Sequence, residues 1–128
     1  MSAPGIAYPT VLVADDSDDI RQVLKRALVI DGYHVVEASN GVEAIEIARQ
    51  RCPDLILMDL NMPTLDGLAA TEKIRGLKGK CEYVPIIAMT AFDIYGMKEA
   101  ALQAGCNAYM DKPLDLARLE KMLRDYLE

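Results

Sequence analysis

The sequence lacks the features of membrane-spanning and secreted proteins. None of its apolar runs approaches the roughly 20 residues that a membrane-spanning helix requires. The first ten residues contain neither a basic start nor an apolar segment, so no secretory signal is recognisable there. We therefore expect a cytoplasmic protein without a membrane partner.

Basic residues are scarce relative to acidic ones. The 14 lysines and arginines are outnumbered by 20 aspartates and glutamates, which gives a formal net charge of −6. A nucleic-acid surface needs clustered lysine and arginine to displace counterions from phosphates. Here the basic residues are scattered along predicted helices. Direct binding to nucleic acid is therefore not expected.

Cysteine and histidine, which ligate soft metals, are few. The three cysteines, Cys52, Cys81 and Cys106, are far apart in the sequence, and their number is odd. We interpret them as separate buried or half-buried thiols in a reducing compartment. The single histidine, His34, lies inside an apolar run and is interpreted as a strand residue rather than a ligand.

The chain is long enough for one domain of alternating strands and helices. Residues 1–8 are predicted to be a flexible arm and 9–128 to be the domain, with neither repeats nor a second domain. Strands are predicted at 10–14, 34–38, 55–59, 86–89 and 107–110. Helices are predicted at about 18–31, from 42 to the stop at Cys52-Pro53, and at about 67–77, 93–104 and 115–127. This alternation predicts a doubly wound α/β fold with a five-stranded parallel sheet and five helices.

Residues that can handle a phosphoryl group follow four of the predicted strands. Asp15 and Asp16 follow the first strand, and Asp59 ends the third. Thr90 ends the fourth strand, and Lys112 follows the fifth. In doubly wound sheets, ligands bind outside the carboxyl ends of the strands. We therefore expect these five side chains to surround one shallow site.

The chemistry of these residues favours a divalent cation and a nucleophilic carboxylate. Carboxylates held close together repel unless a cation neutralises them, and oxygen ligands suit Mg²⁺, with Mn²⁺ as a substitute. The backbone carbonyl of Asn61 is a further candidate ligand. Asp59 is the best candidate to accept a phosphoryl group, with Lys112 and Thr90 binding the phosphoryl oxygens.

Several of these residues also have a purely structural explanation. The acidic run at 15–19 is typical of a helix start, and Asp18 is predicted to cap that helix. Thr90 alone is an ordinary strand-end hydroxyl, and Lys112 alone an ordinary solvated lysine. Their joint occurrence at four strand ends favours a functional site.

The sequence resembles the receiver domain of two-component response regulators over about residues 9–127, and especially single-domain receivers of the chemotaxis-regulator type. The residues that carry the resemblance are Asp15-Asp16, Asp59, Asn61-Met62-Pro63, Asp66-Gly67, Thr90-Ala91, Tyr109 and Lys112-Pro113. The resemblance implies a flavodoxin-like fold with strand order 2-1-3-4-5. It also implies that Asp59 is the phosphoacceptor and that Mg²⁺ is bound by Asp16, Asp59 and the Asn61 carbonyl, with Asp15 joining directly or through a water.

The resemblance further implies a switch and its partners. The Lys112-Pro113 bond would be cis, and Thr90 with Tyr109 would couple phosphorylation to the surface of the fourth helix, fifth strand and fifth helix. A plain packing role for Tyr109 stays open. The phosphoryl donor would be a sensor histidine kinase or a histidine phosphotransfer protein, and the downstream protein target is unknown. The expected state is a monomer, with dimerisation on phosphorylation as the alternative.

Two enzyme or cofactor classes share parts of this pattern. Phosphatases of the dehalogenase type place two aspartates two residues apart, whereas Asp15 and Asp16 are adjacent. Flavin-binding domains need a Ser-, Thr- and Gly-rich loop after the first strand, whereas 15–19 holds four aspartates. We expect no enzymatic turnover beyond self-phosphorylation and dephosphorylation. Output is expected through protein contacts or onward phosphotransfer, unless the sequence is a receiver cut from a longer regulator.

Overall fold

The computed structural model describes residues 8–62, 65–91 and 96–128. Within them, the strands are β1 Thr10–Ala14, β2 His34–Ala38, β3 Leu55–Asp59, β4 Ile86–Thr90 and β5 Ala108–Asp111. The helices are α1 Asp18–Ile30, α2 Gly41–Gln50, α3 Gly67–Arg75, α4 Met97–Ala104 and α5 Leu116–Leu127, with a 3-10 helix at Gly79–Glu82. Most of the predicted arm, Pro63, and the predicted start of the fourth helix near 93 lie outside the described residues.

The described strands form one parallel sheet in the order β2-β1-β3-β4-β5. This confirms the predicted doubly wound fold and its strand order. Every residue of β3 and β4 is buried, because helices cover both faces of the sheet. The carboxyl ends of β1, β3, β4 and β5 therefore meet at one edge between two helical layers.

Successive residues of the central strands supply two separate cores. One core lies under α1 and α5 and includes Val11, Val13, Leu24, Leu28, Leu55, Leu57, Ile87, Met89, Leu119 and Leu123. The other lies under α2, α3 and α4 and includes Leu12, Ala44, Ala48, Ile56, Met58, Ala70, Ile74, Ile86, Ala88 and Ala101. Side chains of a strand point alternately to opposite faces, so each strand serves both cores and is held rigidly. The strand ends are therefore firm supports for a site.

Local chemistry places the N-cap of α1 one residue before the predicted cap. The N-cap is Ser17, whose hydroxyl accepts the Ile20 N–H at 3.3 Å. The prediction that Asp18 caps this helix was wrong, because Asp18 is already helical and its carboxylate pairs with Arg21. Ser17 has the extended backbone that an N-cap requires.

The buried faces of α1 and α5 are narrower than their apolar stripes. Val23 of α1 is 56% exposed, and Leu116 and Tyr126 of α5 are exposed as well. Leu24 and Leu119 contact the core instead. Each of these helices therefore packs on the sheet through only part of its apolar face, and the rest of that face is exposed to solvent.

Two cysteines are bonded, contrary to the interpretation of three separate thiols. Cys52, just after α2, and Cys81, in the 3-10 helix, form a disulfide with a Cα–Cα distance of 5.8 Å. They are 29 residues apart in sequence, and packing of the two helical segments brings them within disulfide range. Cys106 is a buried free thiol, as predicted. None of the helices in the described ranges combines the length and apolar character that a membrane-spanning segment needs.

Candidate functional site

Predicted site residues from three strand ends converge at one edge of the sheet. Carboxylate oxygens of Asp15, Asp16 and Asp59 all lie within 4.8 Å of one another. Lys112 Nζ lies 2.6 Å from Asp15 Oδ2 and 3.3 Å from Asp59 Oδ2. The ammonium group therefore lies between two of the three carboxylates, and the cluster combines acidic ligands with one cation.

The turn after β1 allows two adjacent aspartates to share this site. The Asp15 N–H still donates to the Ala38 carbonyl of β2, at 3.0 Å. Asp15 Oδ1 then accepts the Ser17 N–H at 2.9 Å, and this hydrogen bond turns the chain out of the strand. As a result, Asp15 is fully buried while Asp16, on the outer side of the turn, is exposed.

Arg21 supports this turn and was not identified from the sequence. Its Nη1 donates to the Asp15 carbonyl at 2.6 Å, and its Nε donates to Glu37 Oε1 at 3.3 Å. The same guanidinium pairs with Asp18. The spacing of Asp18 and Arg21 predicts a pair on one helix face. The contact with a backbone carbonyl leaves no pattern in the sequence.

Asp59 closes β3 and faces the carboxylate cluster rather than the apolar core. Its Oδ1 accepts the Asn61 N–H at 2.9 Å, and its Oδ2 faces Lys112. Only 2% of the residue is exposed. A reacting group must therefore enter a confined site in which one oxygen of Asp59 is already fixed by the backbone.

Asn61 and Thr90 are joined by their side chains. Asn61 Nδ2 donates to Thr90 Oγ1 at 2.8 Å, whereas the sequence predicted a role only for the Asn61 carbonyl. Thr90 is fully buried, and its carbonyl accepts the Lys112 N–H at 2.7 Å. The two contacts connect the ends of β4 and β5 to the loop after β3.

Tyr109 and Pro113 lie on and just after the neighbouring strand β5. Tyr109 pairs in register with Ala88, and it packs half-buried on the core under α2, α3 and α4. Thr90 is two residues beyond Ala88, so its side chain lies on the same face of the sheet as Tyr109. The Lys112–Pro113 peptide bond is cis.

Burial and charge act in opposite directions on the pKa values of the site. The pKa of Asp59 is raised, first by burial and also by the negative charge of Asp15. The hydrogen bond from the Asn61 N–H and the positive charge of Lys112 lower this pKa, but they compensate only in part. Burial alone would lower the pKa of Lys112, but its hydrogen bond to Asp15 and the charges of Asp59 and Asp15 raise it. The site thus favours a charged ammonium and disfavours a charged Asp59.

We predict that Asp59→Asn stabilises the metal-free protein at pH 7, because it removes a buried charge that the fold disfavours. Stabilising single substitutions commonly contribute on the order of 1 kcal/mol. The pKa of Asp59 is higher in the folded protein than in the unfolded chain. Protonation of Asp59 therefore stabilises the fold, and this contribution is fully present at acid pH, below the unfolded-state pKa. It is lost as pH rises through the folded-state pKa. The variant's advantage should therefore grow from acid to neutral pH in urea unfolding with a chelator.

The matched control for this comparison is Asp111→Asn, which neutralises an exposed carboxylate at the end of β5. It should change the free energy of unfolding by less than about 0.5 kcal/mol. A wild-type protein at least as stable as Asp59→Asn at pH 7 would contradict the prediction.

The donor set of the cluster fits a hard divalent cation. Asp15, Asp16 and Asp59 each offer a carboxylate oxygen, and these oxygens are close enough to share one ion. Three carboxylates facing one ammonium leave an excess of negative charge. Mg²⁺ prefers oxygen ligands and keeps some of its waters, which suits a site with one exposed ligand, Asp16.

Comparison with known proteins gives consistent matches along the chain. The sequence profile described as "Response regulator receiver domain" matches residues 11–124. The polar-differentiation response regulator DivK of Brucella anthropi is 33% identical over 118 residues, which are 92% of this chain and 95% of DivK.

Solved structures give the same result. One is the receiver domain of sensor histidine kinase PA1611 from Pseudomonas aeruginosa, described with a magnesium ion coordinated in its active-site cleft. It has a TM-score of 0.86 and 37% identity, covering 94% of this chain and 98% of that one. The chemotaxis protein CheY4 of Vibrio cholerae has a TM-score of 0.88 and 30% identity, covering 94% and 100%. Both similarities extend over nearly the whole chain.

Proposed function

Because the chain belongs to the family of response regulator receiver domains, we propose that it accepts one phosphoryl group on Asp59. The donor is a sensor histidine kinase or a histidine phosphotransfer protein. The observation that carries the proposal is the convergence of Asp15, Asp16, Asp59 and Lys112 within one confined cluster. An aspartate supplies the nucleophile there, and a lysine supplies the positive charge.

In this proposal, a carboxylate oxygen of Asp59 attacks the phosphorus atom of the phosphohistidine donor. The bond from phosphorus to the histidine nitrogen breaks, and the nitrogen keeps the bonding electrons. Lys112 lies 3.3 Å from Asp59 Oδ2, close enough to stabilise the negative phosphoryl oxygens on arrival. Its ammonium must first move off Oδ2 if that oxygen is the nucleophile.

The proposed metal ligands are Asp15, Asp16, Asp59 and the backbone carbonyl of Asn61. Mg²⁺, or Mn²⁺ in its place, would supply the positive charge that offsets repulsion between the anionic carboxylates and the phosphoryl group. The Asn61 N–H holds Asp59 Oδ1 at 2.9 Å and so fixes the orientation of the nucleophile. Asp15 is held by the Ser17 N–H in the same way.

Thr90 and Tyr109 are the proposed switch. Thr90 Oγ1 accepts a hydrogen bond from Asn61 Nδ2 at 2.8 Å. Donation of the Thr90 hydroxyl hydrogen to a phosphoryl oxygen would draw Thr90 toward Asp59. Tyr109, on the same face of the sheet, would then repack and change the surface of α4, β5 and α5.

The proposed output is through protein contacts or onward phosphotransfer, in the cytoplasm, without direct contact with nucleic acid or membrane. The phosphoryl group leaves by self-catalysed hydrolysis, and no external substrate is turned over. The protein is proposed to be a monomer, and a dimer after phosphorylation is the alternative state. Size-exclusion chromatography of both forms distinguishes these states.

The proposal is tested by intact-protein mass spectrometry after incubation with Mg²⁺ and a small acyl phosphate. Wild type should gain the mass of one phosphoryl group, and Asp59→Asn should gain none. Asp111→Asn should behave as wild type, because this strand-end carboxylate is not part of the cluster. An undiminished mass gain in Asp59→Asn would overturn the assignment of the phosphoacceptor.

A further inference from the structure

The disulfide between Cys52 and Cys81 lies away from the carboxylate cluster. Cys52 precedes the amino end of β3, whereas Asp59 closes its carboxyl end. Cys52 is half-buried and Cys81 almost fully buried, so Cys52 is the more accessible residue of the two. The bond joins the end of α2 to the 3-10 helix that precedes β4.

Basic side chains line one cavity beside this bond, in a protein of net negative charge. A surface cavity of about 260 Å³ reaches both cysteines and is lined by Arg49, Lys78 and Lys80. No carboxylate is among the described residues that line it. Arg49 pairs with Glu46, and Lys80 pairs with Asp54 at 2.6 Å. Cations beside a cysteine favour the reactive thiolate and attract anionic reactants.

A second surface cavity adjoins the accessible cysteine from another side. It has a volume of about 300 Å³ and is lined by Cys52, Arg51 and Lys80 together with Asp54 and other residues. Cys52 therefore borders two cavities, and each of them carries at least two cationic side chains. The two cavities let a small reactant reach the surface beside Cys52.

We propose that Cys52 and Cys81 are a reversible thiol–disulfide exchange site for an anionic low-molecular-weight thiol of the glutathione class. The proposal is independent of phosphorylation at Asp59. In the cytoplasm proposed above for this protein, a disulfide is usually transient or redox-sensing, which agrees with a bond that lies beside a cavity. The cationic lining selects the anionic reactant.

The exchange is balanced as two successive thiolate attacks. In oxidation, the Cys52 thiolate attacks a sulfur of oxidised glutathione and forms a mixed disulfide, and one glutathione thiolate leaves with the bonding electrons. The Cys81 thiolate then attacks the Cys52 sulfur and expels the second glutathione thiolate. Two protein thiols lose two electrons and two protons, and one oxidised glutathione becomes two reduced molecules. Reduction follows the same steps in reverse.

Arg75 links this bond to the turn between α4 and β5. Its Nη1 donates to the Cys81 carbonyl at 3.1 Å. Its Nε and Nη2 donate to the Gly105 carbonyl at 3.0 and 2.8 Å, and Nη2 also donates to Asn107 Oδ1 at 2.9 Å. Movement of Cys81 on reduction would therefore reach Gly105, which ends α4. The conformation of that turn should therefore depend on the redox state of the Cys52–Cys81 bond.

The first test equilibrates the full chain in buffers of reduced and oxidised glutathione, followed by acid quenching, alkylation and peptide mapping. We expect the 52–81 bond to form and to break reversibly as the ratio changes, with Cys106 outside the bond. Oxidation should raise the melting temperature by on the order of 10 °C. In Cys52→Ser, the melting temperature should not respond to the ratio. Absence of the bond in the most oxidising buffer, or its persistence in the most reducing one, would overturn the proposal.

The second test measures whether the site selects its thiol reactant by charge, and a third measures whether Arg75 transmits the redox state of the bond. Reduction of the bond by anionic glutathione should be fast relative to reduction by cationic cysteamine, and Lys78→Glu should lower this rate ratio several-fold. An unchanged ratio would overturn selection by charge.

Amide NMR signals of Gly105 and Asn107 should shift between the two redox states in wild type and shift less in Arg75→Gln. Signals that do not shift in wild type would overturn transmission through Arg75.

Discussion

Replacement of Lys112 by alanine is expected to lower the free energy of unfolding by about 3 kcal/mol in metal-free buffer. Asp15 is fully buried and Asp59 nearly so, and the Lys112 side chain, itself only 12% exposed, pairs with both. Removal of one partner of a buried ion pair leaves its charge uncompensated. In this case two carboxylates lose their compensating charge at once. Urea unfolding in the presence of a chelator measures the loss.

Mg²⁺ should restore much of the lost stability in Lys112→Ala. A cation bound by Asp15, Asp16 and Asp59 takes over the charge compensation that the ammonium provided. We therefore expect a larger Mg²⁺-dependent increase in unfolding free energy for the variant than for wild type, together with tighter Mg²⁺ binding by calorimetry. Equal responses in the two proteins would contradict the charge-compensation argument.

Lys121→Ala is the matched control for this substitution. Lys121 lies on α5 and pairs with Asp125 at 3.8 Å, and its side chain is 74% exposed. Solvent screens such a pair, so the loss should be below about 0.5 kcal/mol, and Mg²⁺ should have no additional effect. The comparison separates buried charge compensation from the loss of a lysine as such.

The bounds of the first three strands follow directly from the sequence, because each is a short, mainly apolar run between turn residues. The residues 10–14, 34–38 and 55–59 were predicted and are the observed β1, β2 and β3. The 3-10 helix at Gly79–Glu82 was not predicted, and the third helix ends at Arg75 rather than near Leu77. These features depend on capping at Gly76 and on packing of the connector, which leave no periodic signal.

The convergence of the carboxylates was predictable because it follows from parallel strands that end at one edge. The contacts that orient them were not. The hydrogen bonds from Asn61 to Thr90 and from Arg21 to the Asp15 carbonyl depend on the path of loops and on side-chain rotamers. The Cys52–Cys81 bond depends on how α2 packs near the 3-10 helix. Such distances are set by tertiary structure, and residue spacing does not encode them.

Gly67→Ala is expected to have the second large effect, a destabilisation of about 3 kcal/mol with phosphorylation slowed at least about tenfold. Gly67 begins α3 where the helix crosses the end of β3. An added Cβ would lie 2.2 Å from the Asp59 carbonyl oxygen and 2.8 Å from Leu60 Cα. These are backbone atoms, so no rotamer change relieves the clash, and either α3 or the segment that carries Asp59 must move.

Gly76→Ala tests whether the effect comes from this close approach rather than from the loss of a glycine. Gly76 caps the same helix with φ −76°, a conformation that alanine adopts without strain, and its added Cβ would meet nothing closer than 3.4 Å. We expect unchanged or slightly higher stability, by up to about 1 kcal/mol, and normal phosphorylation. If both variants lost stability equally, crowding at the end of β3 would not be the cause. If Gly67→Ala alone lost stability and phosphorylation together, the contact between α3 and Asp59 would determine the position of the nucleophile.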